Sequence, residues 1–336
     1  MNGKRWAALA IAATLFFFSV VINFTTAVAF SDFGSWSENL LANEEEFLEN
    51  VLVEGSGTNK ILVLNVNGVI EDSGQDVPSL FEGSGYNHRT FLKMLDNATD
   101  DSSVKGIILR VNSPGGGVVE SAEIHDRIVE FQEKTNKPVY VSMGTMAASG
   151  GYYIAAPADK IYAVPDTLTG SLGVIMQGIN YGGLAEKYGV EFQTIKSGPY
   201  KDIMSPTRDM TEEEREILQT LVNNAYAGFV DVISKGRELS ESQVKKIADG
   251  RIYDGRQAKE LDLVDELGYF EDVIEAMKQD HSLGNIKVVE YESNYGLGSI
   301  FSMGARKVFS DDLEMTGLMK LLSQPNSPRL MYLYAE

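Results

Sequence analysis

Cysteine is absent from this 336-residue chain, which excludes a disulfide framework, thiolate metal ligands and a cysteine nucleophile together. Histidine is almost as scarce. His88, His125 and His281 stand far apart without ligand spacing, so no metal is expected. Positive charge is short as well: 29 Lys and Arg face 48 Asp and Glu, and a net charge of −19 removes nucleic acid from the partners. The patterns G-x-x-x-x-G-K-[ST] and G-x-G-x-x-G are missing, so nothing supports a nucleotide cofactor. There is no internal repeat. Apolar residues are plentiful. At 43% they suffice for the core of one large domain or two ordinary ones.

Part of that apolar content lies at the start. Lys4 and Arg5 precede an uncharged stretch from Trp6 to about Phe30, whose 25 residues as a helix span about 37 Å at ~1.5 Å each, against a ~30 Å hydrocarbon core. The basic residues predict a cytoplasmic N-terminus, with everything after residue 30 outside. A cleaved signal peptide is the alternative, since Ala27-Val28-Ala29 has the A-x-A form; the core from Trp6 to Ile22 exceeds the roughly 7 to 15 residues usual there, which favours a retained anchor. Residues 31–58 are polar, with Glu44-Glu45-Glu46, and suit a stalk.

From about Lys60 the pattern is strand, helix, strand. Ile61 to Val66 is a nearly continuous apolar run, as in a strand buried on both faces, and Lys105 to Val111 is another, with a helix between them from His88 to Asn97. The rhythm predicts a parallel sheet. Further along, a helix over Leu184 to Tyr188, a strand over Val190 to Ile195, a capped helix from Thr211 to Lys235, a helix at Phe270 to Lys278 and a strand at Ile286 to Tyr291 are expected.

Two turns carry the chemistry. Asn112-Ser113-Pro114-Gly115-Gly116-Gly117 joins a strand to an amphipathic helix and offers bare N–H groups to an anion, or is an ordinary tight turn. Gly144 to Gly151 follows the strand Pro138 to Ser142 and leads into a helix from Tyr152 to Ala156. Ser149 stands at that strand-to-helix junction among small residues that let a peptide backbone approach; it is either a nucleophile or a plain helix N-cap. With Ser149 as nucleophile, the glycine turn could serve as an oxyanion hole. The serine needs a base. His125 is one candidate and Lys201, in a polar Gly-Pro-Tyr-Lys turn, is another. A lysine acts as a base only when its pKa falls from ~10.4 to about 7, worth about 4 to 5 kcal/mol in favour of the neutral form.

Taken in order, Asn112-Ser113-Pro114-Gly115-Gly116, Ala147-Ala148-Ser149-Gly150-Gly151-Tyr152-Tyr153, Thr169-Gly170-Ser171-Leu172-Gly173-Val174, Ser197-Gly198-Pro199-Tyr200-Lys201-Asp202 and the run from Gly250 to Ala258 resemble the bacterial signal peptide peptidase A family over about residues 60 to 275. The resemblance implies an α/β fold of the Clp protease/crotonase-like βαβ spiral type, preceded here by one N-terminal transmembrane helix. It implies a Ser/Lys dyad: Ser149 as nucleophile, Lys201 as general base and Ser171 as the hydroxyl orienting the lysine. Gly115 and Gly116 match the oxyanion turn, with Gly150 as a further donor. His125 then has no catalytic part.

With one catalytic domain the chain resembles the short form, which implies a homo-oligomeric ring sharing its dyad between subunits, no cofactor, and hydrophobic peptides such as cleaved signal peptides as substrates at the outer membrane face. The expected divisions are an anchor or signal sequence at 1–30, a stalk at 31–58, a catalytic domain at 59–295 and a C-terminal helix and extended tail at 296–336. The strand-like end, Leu330 to Glu336, either adds to its own domain or lies in the peptide groove. Two other classes are an inactive peptide-binding scaffold and a crotonase-type acyl-CoA enzyme; the second leaves Ser149 without a role.

Overall fold

The computed structural model describes residues 14–19, 47–72, 86–293 and 329–334. The chain divides into two compact units between Leu48 and Glu49. In the first, residues 14–19 are helical, with Leu15, Phe16, Phe17 and Phe18 exposed. No helix among the described residues is long and apolar enough to cross a membrane, and the rest of the expected span from Trp6 to Phe30 lies outside them.

The second unit is organised by its apolar runs. β2 (Lys60–Asn67), β3 (Val104–Ser113) and β5 (Val139–Ala148) pair in parallel, with Leu64, Leu109 and Val141 in one row. On one face Ile61, Val63, Ile108 and Tyr140 pack against Val273, Ile274 and Met277 of a helix at Phe270–Asp280. Side chains alternate along a strand, so Leu62, Leu64, Ile107 and Leu109 point the other way, and they too are buried. A sheet covered on both faces explains why these strands read as unbroken apolar runs.

The full sheet adds β1 (Phe47–Val53), β6 (Lys160–Ala163), β7 (Leu168–Gly170), β8 (Ile252–Tyr253), β9 (Glu266–Leu267) and β10 (Lys287–Ser293). Its order is β1-β10-β2-β3-β5-β6-β9, with β7 on β5 and β8 on β7. Two short strands stand apart as a pair: β4 (Gly115–Gly117) and β11 (Met331–Leu333). This parallel-rich α/β arrangement fits a Clp protease-like fold.

Two expectations shift, and a third lies outside the described residues. The stretch assigned to a stalk contains β1, a strand of the sheet. The expected helix before the tail falls on residues 294–328, outside the described set. The expected strand from Val190 to Ile195 does not form: Val190, Phe192 and Ile195 are exposed, and the short helix before them, Gly182–Lys187, buries nothing. Alternating apolar residues make a strand only where a neighbouring edge accepts their backbone bonds.

One buried cation pins the sheet margin. Lys60, its side chain 5% exposed, bridges Glu49 and Asp101, the latter at 2.6 Å. Burial opposes ionisation of Asp101, but Lys60 and the Ser103 hydroxyl and amide outweigh it and hold the carboxyl down to about 2. A depressed carboxylate contributes stability above its unfolded value near ~4 and loses it as pH falls through about 2. Asp101→Asn is therefore expected to cost on the order of 2 kcal/mol at pH 7 and to flatten the acid limb of stability between those values. Urea titrations from pH 7 to 2 check this; an unchanged acid limb contradicts it.

Candidate active site

β5 ends at Ala148 and a six-residue helix, Gly150–Ala155, starts two residues on. Ser149 makes the turn with φ 53° and ψ −114°, a conformation that costs a non-glycine residue about 1–3 kcal/mol. Its N–H donates to Gly170 O at 2.8 Å and its carbonyl accepts from Tyr153 N–H at 2.9 Å. Its side chain makes no capping bond. Ser149 thus occupies the N-cap position without capping the helix through its hydroxyl. Oγ is buried, the residue being 1% exposed, and has no partner among the described residues. Strained strand-to-helix turns of this kind present nucleophilic serines elsewhere.

The glycine turn lies against it. Ile70 N–H donates to Gly115 O at 2.9 Å and Gly117 N–H to Ile70 O at 2.8 Å, which takes one edge of β4. The other edge pairs antiparallel with β11, Gly116 opposite Tyr332. Bonds from Val118 N–H to Leu330 O (3.4 Å) and from Tyr334 N–H to Pro114 O (2.9 Å) flank that pair, and the antiparallel alternation makes it a hydrogen-bonded one. Gly115 N–H is engaged by Ser113 Oγ at 3.0 Å. With φ +97°, Gly115 has no room for a Cβ, which would stand 2.0 Å from Tyr332 O and 2.5 Å from Gly150 N. The Tyr332 carbonyl, the Gly116 turn and the Gly150 amide thus converge beside Ser149.

The tail is therefore both a strand on its own domain and a strand along the glycine turn. The Tyr332 ring stacks on Tyr153 (4.9 Å between centroids) and meets Phe229 (4.6 Å), while its hydroxyl donates to Ala225 O at 3.0 Å. Burial, with Asp126 and Asp231 adding, pushes the Tyr153 phenol up to about 12, so it is neutral at ordinary pH.

Ser171 follows directly on Gly170, the residue holding the Ser149 amide, and is itself turned to φ 49° with its N–H on Arg251 O at 2.7 Å. A cavity of about 460 Å³ opens beside it, lined also by Ile175, Tyr226, Lys245 and Leu333. Lys201 is elsewhere. It sits exposed on the turn from Lys196 to Asp202, its N–H on Gly198 O at 3.3 Å, and within one copy its side chain does not reach Ser149 Oγ. His125 lies edge-on to Tyr153 with Nδ1 on Asp126 at 2.9 Å, and does not hold Ser149 Oγ either. Sequence reasoning missed Ser113 and the aromatic seat of Tyr153 and Phe229. A serine two residues before a glycine is a turn signal that could have flagged the first; the second joins residues far apart in the chain.

Residues 131–284 match the Peptidase family S49 model, and residues 88–169 the Clp protease model. Over 346 aligned positions, 99% of both chains, the sequence is 40% identical to a protein of Enterococcus faecium named signal peptide peptidase SppA. The chain belongs to peptidase family S49. It is 35% identical to Protease 4 of Haemophilus influenzae over 82% of this chain and 46% of that one. It is 30% identical to the chloroplastic serine protease SPPA of Arabidopsis thaliana over 80% of this chain and 40% of the other. As an S49 member it is a serine peptidase, which sets aside the acyl-CoA reading of the shared fold.

Proposed function

We propose that the chain is a membrane-anchored Ser/Lys endopeptidase that cleaves hydrophobic peptides, signal peptide remnants among them, at the outer face of the cytoplasmic membrane. Ser149 is the nucleophile, Lys201 the general base supplied by a neighbouring copy, and Ser171 the hydroxyl that orients the lysine. The N–H groups of Gly150 and, once a substrate has displaced Tyr332 from it, Gly116 form the oxyanion hole, while Gly115, its own N–H taken by Ser113, shapes it. The observation that carries this reading is the buried Ser149 hydroxyl, which has no partner among the described residues. The exposed apolar side chains around Lys201's arm, Ile179, Leu184, Tyr188 and Ile195, support assembly with further copies, because so large an apolar surface is rarely left in water.

In the reaction, neutral Lys201 removes the Ser149 proton as Oγ bonds to the peptide carbonyl carbon. The carbonyl oxygen becomes negative against the two N–H groups, with Gly116 released from Tyr332 by the incoming peptide. Protonated Lys201 gives its proton to the leaving nitrogen as the C–N bond breaks. Water, deprotonated by the lysine, then releases the acyl group and restores Oγ–H. The lysine performs both transfers, so no histidine is required.

The test is hydrolysis of a hydrophobic peptide by full-length Lys201→Ala alone and co-assembled with Ser149→Ala. Lys201→Ala is expected to lose at least about 10³-fold in kcat and the mixed assembly to recover a substantial share. A Lys201→Ala enzyme near wild-type rates sinks the dyad; a mixed assembly that stays inactive sinks its sharing between copies.

A further inference from the structure

The arm that carries Lys201 has no hydrophobic core to hold it. The helix Gly182–Lys187 is unburied and Lys201 itself is exposed, yet a base must be held to within a fraction of an ångström of its nucleophile. The geometry points to Arg208 as the residue that meets this demand, a positioning residue for the general base, and the inference rests on the Ser149/Lys201 reading above.

The Arg208 guanidinium uses all three of its nitrogens. Nε donates to Asp202 Oδ2 at 2.9 Å and Nη2 to Asp202 Oδ1 at 2.8 Å, a two-pronged grip on the residue next to Lys201. Nη2 also reaches the Asp202 carbonyl at 3.2 Å, so the backbone is held as well as the side chain. In the other direction Nη1 and Nη2 donate to Glu214 Oε2 and Oε1 at 2.9 and 2.5 Å, and Nη1 to Asp209 O at 2.9 Å.

Glu214 is a firm anchor. It is buried in the first turn of the helix Glu212–Gly236, where its carboxylate accepts from Thr211 N–H at 2.9 Å and its own N–H donates to Thr211 Oγ1 at 3.2 Å. The same helix carries Phe229, which meets Tyr153 of the Ser149 helix at 5.2 Å. On the far side of Lys201, Lys196 Nζ donates to Pro199 O at 3.0 Å and to Asp202 Oδ1 at 2.5 Å. Lys201 thus stands with a side chain unbonded among the described residues, in a turn tied at both ends, and one of the ties runs through Arg208. Bonds to the Arg208 guanidinium, then to Thr211, hold the Glu214 carboxyl down to about 2. Arginine is suited to this because its planar fork can grip each of two carboxylates with two bonds, where an ammonium makes only single point contacts.

The experiment uses full-length chains co-expressed with two different affinity tags, so that mixed assemblies are purified through both. Arg208→Gln alone is expected to lower kcat about 10- to 100-fold, with KM within about threefold, as expected for a displaced base on an intact substrate groove. Arg208→Lys is expected to recover little. The decisive readout is complementation. Arg208→Gln mixed with Ser149→Ala regains activity, because one copy brings an intact serine and the other an intact arm. Arg208→Gln mixed with Lys201→Ala does not, because both arms are defective.

Full activity of Arg208→Gln overturns the inference, and so does recovery in the mixture with Lys201→Ala, which would place the defect on the serine side. Should Arg208→Gln fail to assemble by sedimentation, Asp202→Ala removes both carboxylate bonds to Arg208 while Arg208 stays on Glu214, and the same two mixtures decide. Failure of the dyad reading shows separately, as activity in Lys201→Ala alone, and takes the inference with it.

Discussion

Ser149→Ala is expected to abolish peptide hydrolysis, a loss of at least about 10³-fold in kcat, while leaving the protein at least as stable as wild type. The two halves have one cause. The hydroxyl is buried and has no partner among the described residues, so its removal breaks none of their hydrogen bonds and relieves a polar atom of an unmet demand worth about 1–3 kcal/mol. The strained φ of residue 149 remains, held by the bonds from its own N–H to Gly170 and from Tyr153 to its carbonyl, and alanine tolerates it no better than serine. Thermal unfolding beside a peptidase assay checks both halves. Retained hydrolysis would remove Ser149 from the chemistry, and a marked drop in melting temperature would mean that its hydroxyl has a structural partner after all.

Gly115→Ala is expected to lower kcat/KM by about 10²- to 10³-fold, the scale of losing an oxyanion donor. Two penalties act independently. At φ +97° any L side chain is strained, and the new methyl would stand 2.0 Å from Tyr332 O and 2.5 Å from Gly150 N. The first contact vanishes if the tail is cut away; the second does not, because Gly150 opens the Ser149 helix. Gly115→Ala lacking residues 330–336 is therefore expected to stay as inactive as the full-length variant. Recovery on truncation would mean that the methyl acted only through the tail and that the Gly150 amide tolerates displacement.

The sheet was legible because its strands are buried on both faces: Ile61 to Val66 and Lys105 to Val111 read as apolar runs interrupted only by Asn65, Lys105 and Arg110. Helix starts were legible where a capping box stands, as at Thr211 and Glu214. Val190 to Ile195 misled because Val190, Phe192 and Ile195 stay exposed, Phe192 meeting Tyr181 at 6.1 Å between ring centroids; periodicity reports which side chains avoid water without saying whose surface covers them. The same limit applies to the site. Ser149 was visible from its small neighbours and the strand before it. Its contact with Gly170 and the seating of Tyr332 between Tyr153 and Phe229 join segments from 21 to about 180 residues apart, and no local pattern encodes such meetings.

β4 is three residues long and has two edges, one held by Ile70 and the other by β11. An extended peptide that adds its backbone to Gly116 must therefore take the place the chain's own last residues occupy. Because those residues are tethered, they compete at an effective concentration that dilution of the protein cannot lower. On the proposed reading, peptides too weak to displace Met331–Leu333 from Gly116 would go uncleaved at every enzyme concentration, and dilution would not relieve that block.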